Sequence, residues 1–240
     1  MENAVYVGLS QQMALKRHLD IIANNLANMS TTSFKSVSPV FQEYLQNEPQ
    51  AEKISYVQDY GVYHDQSEGR VTNTNRALDF AIAGDGFFTI RTEDGVRYTR
   101  NGNFKLDPEG FIVTSNGDFL LDEGNGTIQV DLTNPDIEVA ADGTINLGTD
   151  EVLKLELVTF DNNQKLTQEG NGYYKANGEN PFPAPEAKVL QGSLESSNVN
   201  PILEMTTMIE VLRAYESAQK LLDAEHDLQM KAVEQLPTLN

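Results

Sequence analysis

Apolar residues in this chain follow a helical period at both ends and a strand-like period in the middle. Between Asn3 and Asn28 there is no proline and only one glycine, Gly8, while Leu15, Leu19, Ile22, Leu26 and Met29 recur at alternating spacings of four and three. That spacing is a heptad-like seam. Val5, Leu9 and Met13 carry the apolar face backwards, and Lys16, Arg17 and Asp20 take the opposite side. The pattern predicts a helix about 39 Å long at 1.5 Å per residue.

A second helix is predicted from Asn200-Pro201, because the first turn of a helix makes no intrahelical use of the missing N–H. Ile202, Met205, Met208, Ile209, Leu212, Tyr215, Ala218, Leu222, Leu228 and Leu236 form its stripe. Glu216 precedes Lys220 by four residues, the favoured ion-pair order, and the pattern stops near Leu236-Pro237.

Between these ends the period shortens. Asn-Gly pairs begin at 101, 116, 125, 171 and 177 and Asp-Gly pairs at 85, 94 and 142, supplying the positive φ that tight hairpins require. The intervening runs, Phe87–Ile90, Val96–Thr99, Phe111–Thr114 and Val152–Phe160, are β-branched and aromatic. Antiparallel strands are expected, with Phe87, Phe88, Tyr98 and Phe104 in their core. Residues 36–75, with Pro39, Pro49 and the tyrosines Tyr56, Tyr60 and Tyr63, show no clean period and are expected to be an extended connector. Asn180-Pro181-Phe182-Pro183-Ala184-Pro185 closes the β region.

The expected fold class is therefore α+β: N- and C-terminal amphipathic helices able to form coiled coils, flanking an inserted antiparallel all-β domain. The expected boundaries are 1–35 and 191–240 for the helical parts, 36–75 for the connector and 76–190 for the β domain. Burying one large apolar side chain is worth roughly 1.5–3 kcal/mol, so both stripes call for a cover. The shorter helix covers only part of the other, which points to self-association or docking. The alternative is that both helices cover the central sheet in one domain.

The charge sharpens this division. The whole chain of 240 residues carries 36 acidic and 17 basic side chains, net −19. Residues 2–28 are neutral, 199–236 carry −4, and the remainder carries −15. Near-neutral helices tolerate close packing of copies, whereas the acidic middle suits solvent. An acidic chain repels nucleic acid and anionic lipid. No stretch approaches a membrane span, and the first dozen residues have neither the basic nor the apolar region of a secretory signal. There is no cysteine, hence no disulfide frame or thiolate metal site.

Candidate chemistry is sparse. The three histidines, His18, His64 and His226, lie in no nucleophile motif. Gly84-Asp85-Gly86 leads into Phe87-Phe88 at strand spacing rather than into a helix, so it is no phosphate loop. Asp118, Asp122, Glu123 and Asn125 are hard oxygen ligands without calcium-loop spacing. No catalytic, cofactor-binding or metal-binding residue is nominated.

Three segments carry a resemblance. Ala23-Asn24-Asn25-Leu26-Ala27-Asn28 with Thr31-Thr32-Ser33-Phe34-Lys35 resembles the N-terminal signature of the bacterial flagellar axial proteins, the rod, hook and hook-associated subunits. Leu78–Phe88 with Tyr98-Thr99-Arg100-Asn101-Gly102-Asn103-Phe104 is similar to the central motif of the rod and hook branch. Gly192–Asn200, with Glu204-Met205, Met208-Ile209 and Arg213-Ala214-Tyr215-Glu216, is similar to its C-terminal motif. Length and the opening Asn3–Ser10 are most similar to the proximal-rod members, the distal-rod members being the alternative. One position departs: Ser33 stands where the family usually has glycine before the phenylalanine, and a positive φ there would be costly for serine.

The resemblance implies a non-enzymatic subunit of a torque-transmitting rod, with terminal helices forming an inner coiled-coil tube and the β domain outside. It implies proximal and distal rod proteins as partners, self-association, and export by the flagellar type III apparatus, without a cleaved signal peptide, into a rod that spans the periplasm. Absent cysteines would avoid crosslinking there. Leu15, Leu19, Ile22, Leu26, Met208, Leu212, Tyr215 and Leu222 are the expected seam, and Asn24, Asn25 and Asn28 the expected lateral hydrogen-bonders, capping of the helix being their other use. A rival of a different class is a soluble β-domain enzyme or carbohydrate-binding protein that the helices merely brace.

Overall fold

The computed structural model describes residues 2–46, 54–132, 137–147 and 152–235. The elements in chain order are α1 (Glu2–Ala27), β1 (Val37–Gln46), β2 (Ile54–His64), β3 (Val71–Asn73), β4 (Phe80–Ala83), β5 (Phe87–Thr92), β6 (Gly95–Thr99), β7 (Phe104–Leu106), β8 (Ile112–Thr114) and β9 (Phe119–Leu120). Then follow β10 (Glu138–Val139), β11 (Thr144–Asn146), β12 (Val152–Lys154), β13 (Leu157–Thr159), β14 (Thr167–Gln168), β15 (Tyr173–Lys175), β16 (Phe182–Pro183), β17 (Lys188–Gln191), β18 (Ser193–Glu195) and α2 (Pro201–Gln235). The fold is α+β, two terminal helices flanking antiparallel strands. The chain divides into two compact units: one holds α1, β1, β2 and α2, the other holds Asn28–Ser36 and Gln66–Val199.

In the helical unit, α1 packs on α2 and on both strands of the β1–β2 hairpin. A Cβ added to Gly8 would lie 2.7 Å from Leu222 Cδ2, and near the other end of α1 Asn25 donates to Glu204 Oε1 at 3.1 Å. The two anchors run in opposite senses along the helices, so α1 and α2 are antiparallel. Helix α2 starts as expected: Pro201 opens the first turn, and the Asn200 side-chain oxygen accepts the backbone N–H groups of Ile202 and Leu203 at 3.1 and 3.4 Å. Its expected end at Leu236-Pro237 lies outside the described residues, as does Pro49.

Helix α1 ends earlier than its apolar pattern suggests. The chain turns at Asn28, whose carbonyl accepts the Thr31 N–H at 3.1 Å, so Met29 leaves the seam and is exposed.

The expected connector holds a paired hairpin, β1 against β2 from Val37↔His64 to Gln46↔Ile54. The register shifts between Val40 and Phe41 of β1, leaving Tyr60 of β2 as the extra residue between Asp59 and Gly61. A bulge reverses which side chains share a face, which is why no period of two was visible. Phe41 reaches the α1 side, where the His18 ring meets it edge-on at 6.3 Å.

The β-rich unit is built on a nine-stranded antiparallel sheet centred on β5. Adjacent side chains of a strand face opposite ways, and Phe87 and Phe88 divide two cores between them. Phe88 meets Phe80 and Phe104 at ring separations of 6.5 and 5.4 Å. On the other face Phe87 meets Phe160 and Tyr174, and Tyr98 closes on Phe160 at 4.9 Å. The run Val152–Phe160, expected as one strand, is two: β12 pairs with β11, and β13 pairs with β5 and β16. Leu155 and Glu156 make the crossing, their N–H groups bonding to Gly143 O and Leu121 O instead of to one ladder.

Removing the Phe88 ring should destabilise this unit by about 3–5 kcal/mol. Phe88→Ala is expected to lower its urea midpoint accordingly, and a loss below about 1 kcal/mol would mean the aromatic packing is not what holds the sheet.

Candidate assembly surface and motif junction

Each terminal helix has an inward and an outward apolar face. On α1, Ile21, Ile22 and Asn25 are buried and Leu15, Leu19 and Leu26 half-buried. On α2, Val211 and Ala218 are buried and Met208, Tyr215 and Leu222 half-buried. In the antiparallel register set by the Gly8 and Asn25 anchors, Leu15, Leu19 and Ile22 stand level with Tyr215, Val211 and Met208. Of the expected seam residues, Leu15, Leu19, Ile22, Met208 and Tyr215 thus lie level with one another inside one protomer, and Val211, which was not among them, joins them.

Leu212 is not among them. It is 44% exposed and belongs to an outward stripe with Ile202, Met205 and Ile209, which are 72, 47 and 52% exposed at spacings of three, four and three. Tyr6, Leu9 and Met13 form a similar exposed stripe on α1, and Leu221, Leu228 and Met230 continue the exposure on α2.

The asparagines separate as well. Asn25 is 2% exposed, and its amide makes a two-point clamp on Val37: Nδ2 donates to Val37 O at 2.8 Å and Oδ1 accepts Val37 N–H at 3.0 Å. Its hydrogen bonds are thus internal, fixing where the chain re-enters after α1 and holding Glu204 of α2. Asn28 accepts the Thr31 hydroxyl at 3.1 Å in the turn that follows the helix. Asn24 is exposed on α1.

Sequence spacing did not show how the three motif segments meet. Within the β-rich unit, the segment Ser33–Ser36 lies along Glu195–Asn198: Ser33 N–H donates to Glu195 O at 2.8 Å, Asn198 N–H to Phe34 O at 3.3 Å, and Ser36 N–H to Asn198 Oδ1 at 2.7 Å. At the centre the Glu195 carboxylate, 1% exposed, accepts Lys35 Nζ at 2.6 Å and Gly69 N–H at 2.9 Å on one oxygen and Arg100 Nε at 2.9 Å on the other. Lys35 comes from the N-terminal motif, Arg100 from the central one and Glu195 from the C-terminal one.

Two cations against one buried anion leave a positive excess. Carbonyl oxygens receive it: Lys35 donates to Ser67 O, and Arg100 to Gly86, Ile82 and Gly84 O, at 2.7–3.2 Å. Glu68 adds a carboxylate 3.9 Å from Arg100. Burial pushes the Glu195 carboxyl up, but Arg100, Lys35 and the Gly69 N–H outweigh it and hold it below the usual carboxylate range. Burial lowers the Lys35 ammonium, with Glu195 opposing. Gly69 is required by close approach, since a Cβ there would lie 1.9 Å from Ser196 O.

Ser33 adopts φ 55°, the left-handed region. Its hydroxyl donates to Arg100 O at 2.7 Å, so a strain of about 1–2 kcal/mol is set against a bond worth about 0.5–1.5 kcal/mol.

Elsewhere the acidic turn is self-satisfied: Asp122 Oδ1 accepts the Gly124 and Gly126 N–H groups at 2.9 and 2.6 Å.

Comparison with known proteins assigns these segments. Residues 5–35 match the family described as flagella basal body rod protein, 81–147 the flagellar hook protein FlgE/F/G D1 domain, and 190–235 the flagellar basal body rod FlgEFG protein C-terminal family. The chain is 40% identical to the flagellar basal-body rod protein FlgF of Caulobacter vibrioides over the whole of both chains. The chain belongs to the flagellar basal-body rod protein family. It is 35% identical to the FlgF of Mesorhizobium japonicum over 92% of each chain, and 28% identical to the FlgG of Bacillus subtilis over 97% of this chain and 98% of that one. As a family member it is a structural subunit of the flagellar basal body rod. Among the described residues no helix is long and apolar enough to cross a membrane.

The junction makes two predictions. Glu195→Gln leaves Lys35 and Arg100 without their buried counter-charge, with only the half-exposed Glu68 nearby, and should cost about 3–5 kcal/mol at pH 7. Because the folded Glu195 pKa lies below its unfolded value, its contribution is full above the unfolded range near ~4.3 and is lost as pH falls through the lower folded value. Urea titrations from pH 7 to 3 should therefore converge for the two proteins at low pH, and a constant gap would contradict the assignment. At position 33, Gly should match Ser within about 1 kcal/mol, whereas Ala, which keeps the strain and loses the bond, should be the least stable of the three. Ala equal to Gly would show that the Ser33 hydroxyl is idle.

Proposed function

We propose that this rod subunit occupies the proximal part of the rod and polymerises through its helical unit, α1 and α2 forming coiled-coil contacts with the helices of neighbouring axial subunits. The carrying observation is the outward stripe Ile202, Met205, Ile209 and Leu212, still exposed after α1 has packed against α2. Each such side chain forgoes roughly 1.5–3 kcal/mol in water, and a contiguous exposed stripe of this kind marks an interface. The second stripe at Tyr6, Leu9 and Met13 supplies a different face. Two unlike faces generate a helical filament instead of a closed dimer.

The proximal position is supported by the 40% identity to a FlgF protein against 28% to a FlgG. Proximal and distal rod proteins are then the neighbours and partners, and other copies of this chain are further ones. Within the seam, Leu15, Leu19, Ile22, Leu26, Met208, Tyr215 and Leu222 hold the protomer together, Asn25 positions the helix end, and Leu212 with the exposed Asn24 faces the neighbour. Asn28 sets the turn that leads out of α1. Export by the flagellar type III apparatus, without a cleaved signal peptide, delivers the subunit to a rod that spans the periplasm; the neutral, cysteine-free N-terminal segment suits that route.

The test separates folding from assembly. Met205→Glu with Ile209→Glu changes exposed positions, so the soluble chain should keep its stability within about 1 kcal/mol. The same variant, expressed in place of the native subunit, should be missing from purified basal bodies and give non-motile cells. Normal incorporation of the double variant would sink the proposal.

A further inference from the structure

The chain contains neither cysteine nor tryptophan, so its softest oxidisable groups are the thioethers of six methionines. Burial divides them. Met208 is half-buried in the seam against α1, whereas Met13, Met29, Met205 and Met230 are exposed. An exposed thioether is open to a peroxide, and its product, the sulfoxide, is polar where the thioether was apolar.

The effect of a sulfoxide depends on whether a hydrogen-bond donor reaches its oxygen. On a helix the neighbouring side chains stand three and four residues away. Met13 has Lys16 and Arg17 at those positions and Met230 has His226, each carrying N–H groups that can donate to such an oxygen. Met29 lies in the turn after α1, outside both stripes.

Met205 differs from all of these. It is 47% exposed within the outward stripe of α2, and its neighbours at three and four positions are Pro201, Ile202, Met208 and Ile209, none of which carries a side-chain donor. The adjacent hydroxyls are committed, Thr206 donating to Ile202 O at 2.8 Å and Thr207 to Leu203 O at 3.0 Å. The backbone of this first turn is committed as well: Asn200 Oδ1 accepts the Ile202 and Leu203 N–H groups, and Asn200 O accepts that of Glu204. A thioether needs no donor there, but a sulfoxide does.

We propose that Met205 is a peroxide-sensitive modification site whose oxidation closes the outward stripe of α2 to assembly. The sulfur lone pair attacks one oxygen of hydrogen peroxide, forming the S–O bond as the O–O bond breaks. The departing hydroxide takes the proton of the transferred hydroxyl and leaves as water, so sulfur loses two electrons and the peroxide gains them. In the free subunit the new oxygen is hydrated. Covering the stripe with a neighbour removes that water among Ile202, Ile209 and Leu212 and leaves the oxygen without a hydrogen bond, which opposes the contact. The site rests on the reading of this stripe as a rod contact, and it is reactive before that contact forms and shielded afterwards.

One test is chemical and one genetic. In the purified full chain treated with hydrogen peroxide, peptide mass spectrometry should show sulfoxide forming about fivefold faster at Met205 than at Met208, and in purified basal bodies the Met205 rate should fall about tenfold. In cells, Met205→Gln, which places a polar amide where the sulfoxide would stand, should reduce incorporation into basal bodies several-fold, while Met205→Leu should incorporate normally. The proposal is overturned by oxidation no faster at Met205 than at Met208, by equal rates in free and assembled subunits, by normal incorporation of Met205→Gln, or by equal loss of Met205→Leu. The rate comparison uses the native chain, so it decides the matter even where a variant misfolds. If Met205→Gln incorporates while Met205→Glu with Ile209→Glu is excluded, the stripe is a rod contact and its sensitivity to oxidation is refuted; if both incorporate, the rod contact itself fails.

Discussion

Much of the β-rich unit depends on one carboxylate. Glu195 draws Lys35, Arg100 and the Gly69 N–H onto two oxygens that are almost wholly removed from water. Desolvating three charges is expensive, and such clusters are weak sources of net stability. Their effect is specificity: any register of Ser33–Ser36 against Glu195–Asn198 other than the observed one would strand a charge in the interior. Segments more than 150 residues apart in sequence are thereby held at a single relative position, and β18 is in turn locked to β3 from Ser193↔Asn73 to Glu195↔Val71.

The helical unit rests on a different kind of constraint. Its own seam is modest, set by small or medium side chains such as Gly8, Val211 and Ala218 that let two helices approach closely, and the Asn25 clamp fixes the chain as it leaves α1. What remains exposed is large and apolar. A stable isolated domain would invert that distribution; a subunit that completes its core with its neighbours would not. The two units thus divide the labour between a polar lock, which settles registry internally, and an apolar surface whose cover comes from other molecules.

Much of this was legible beforehand where a local rule applied. The heptad spacing located both helices, Asn200-Pro201 set the start of α2, and the Asn-Gly and Asp-Gly pairs marked the turns of an antiparallel sheet. The family's glycine at the position of Ser33 raised the question of a positive φ, and the structure gives φ 55° there. The misses share a physical cause. The bulge at Tyr60 scrambled the alternation of β2, so a paired hairpin looked like a connector. The exchange of partners at Leu155 and Glu156 split one apolar run into two strands. Asn25 and Leu212 carried the same pattern as their neighbours, but packing turned one inward and the other outward.

By itself, the sequence determined the two helices, the antiparallel character of the central region and the family, because helix periodicity, turn glycines and motif order depend on residues close together in the chain. It also determined that more apolar surface existed than one short helix could cover. Only the tertiary structure decided which face of each helix is satisfied within the protomer and which remains for a neighbour, because that depends on the antiparallel register of α1 and α2. It alone decided that Lys35, Arg100 and Glu195 share one buried site, since the energy of a charge in a protein interior is set by what surrounds it in space and not by what adjoins it in sequence.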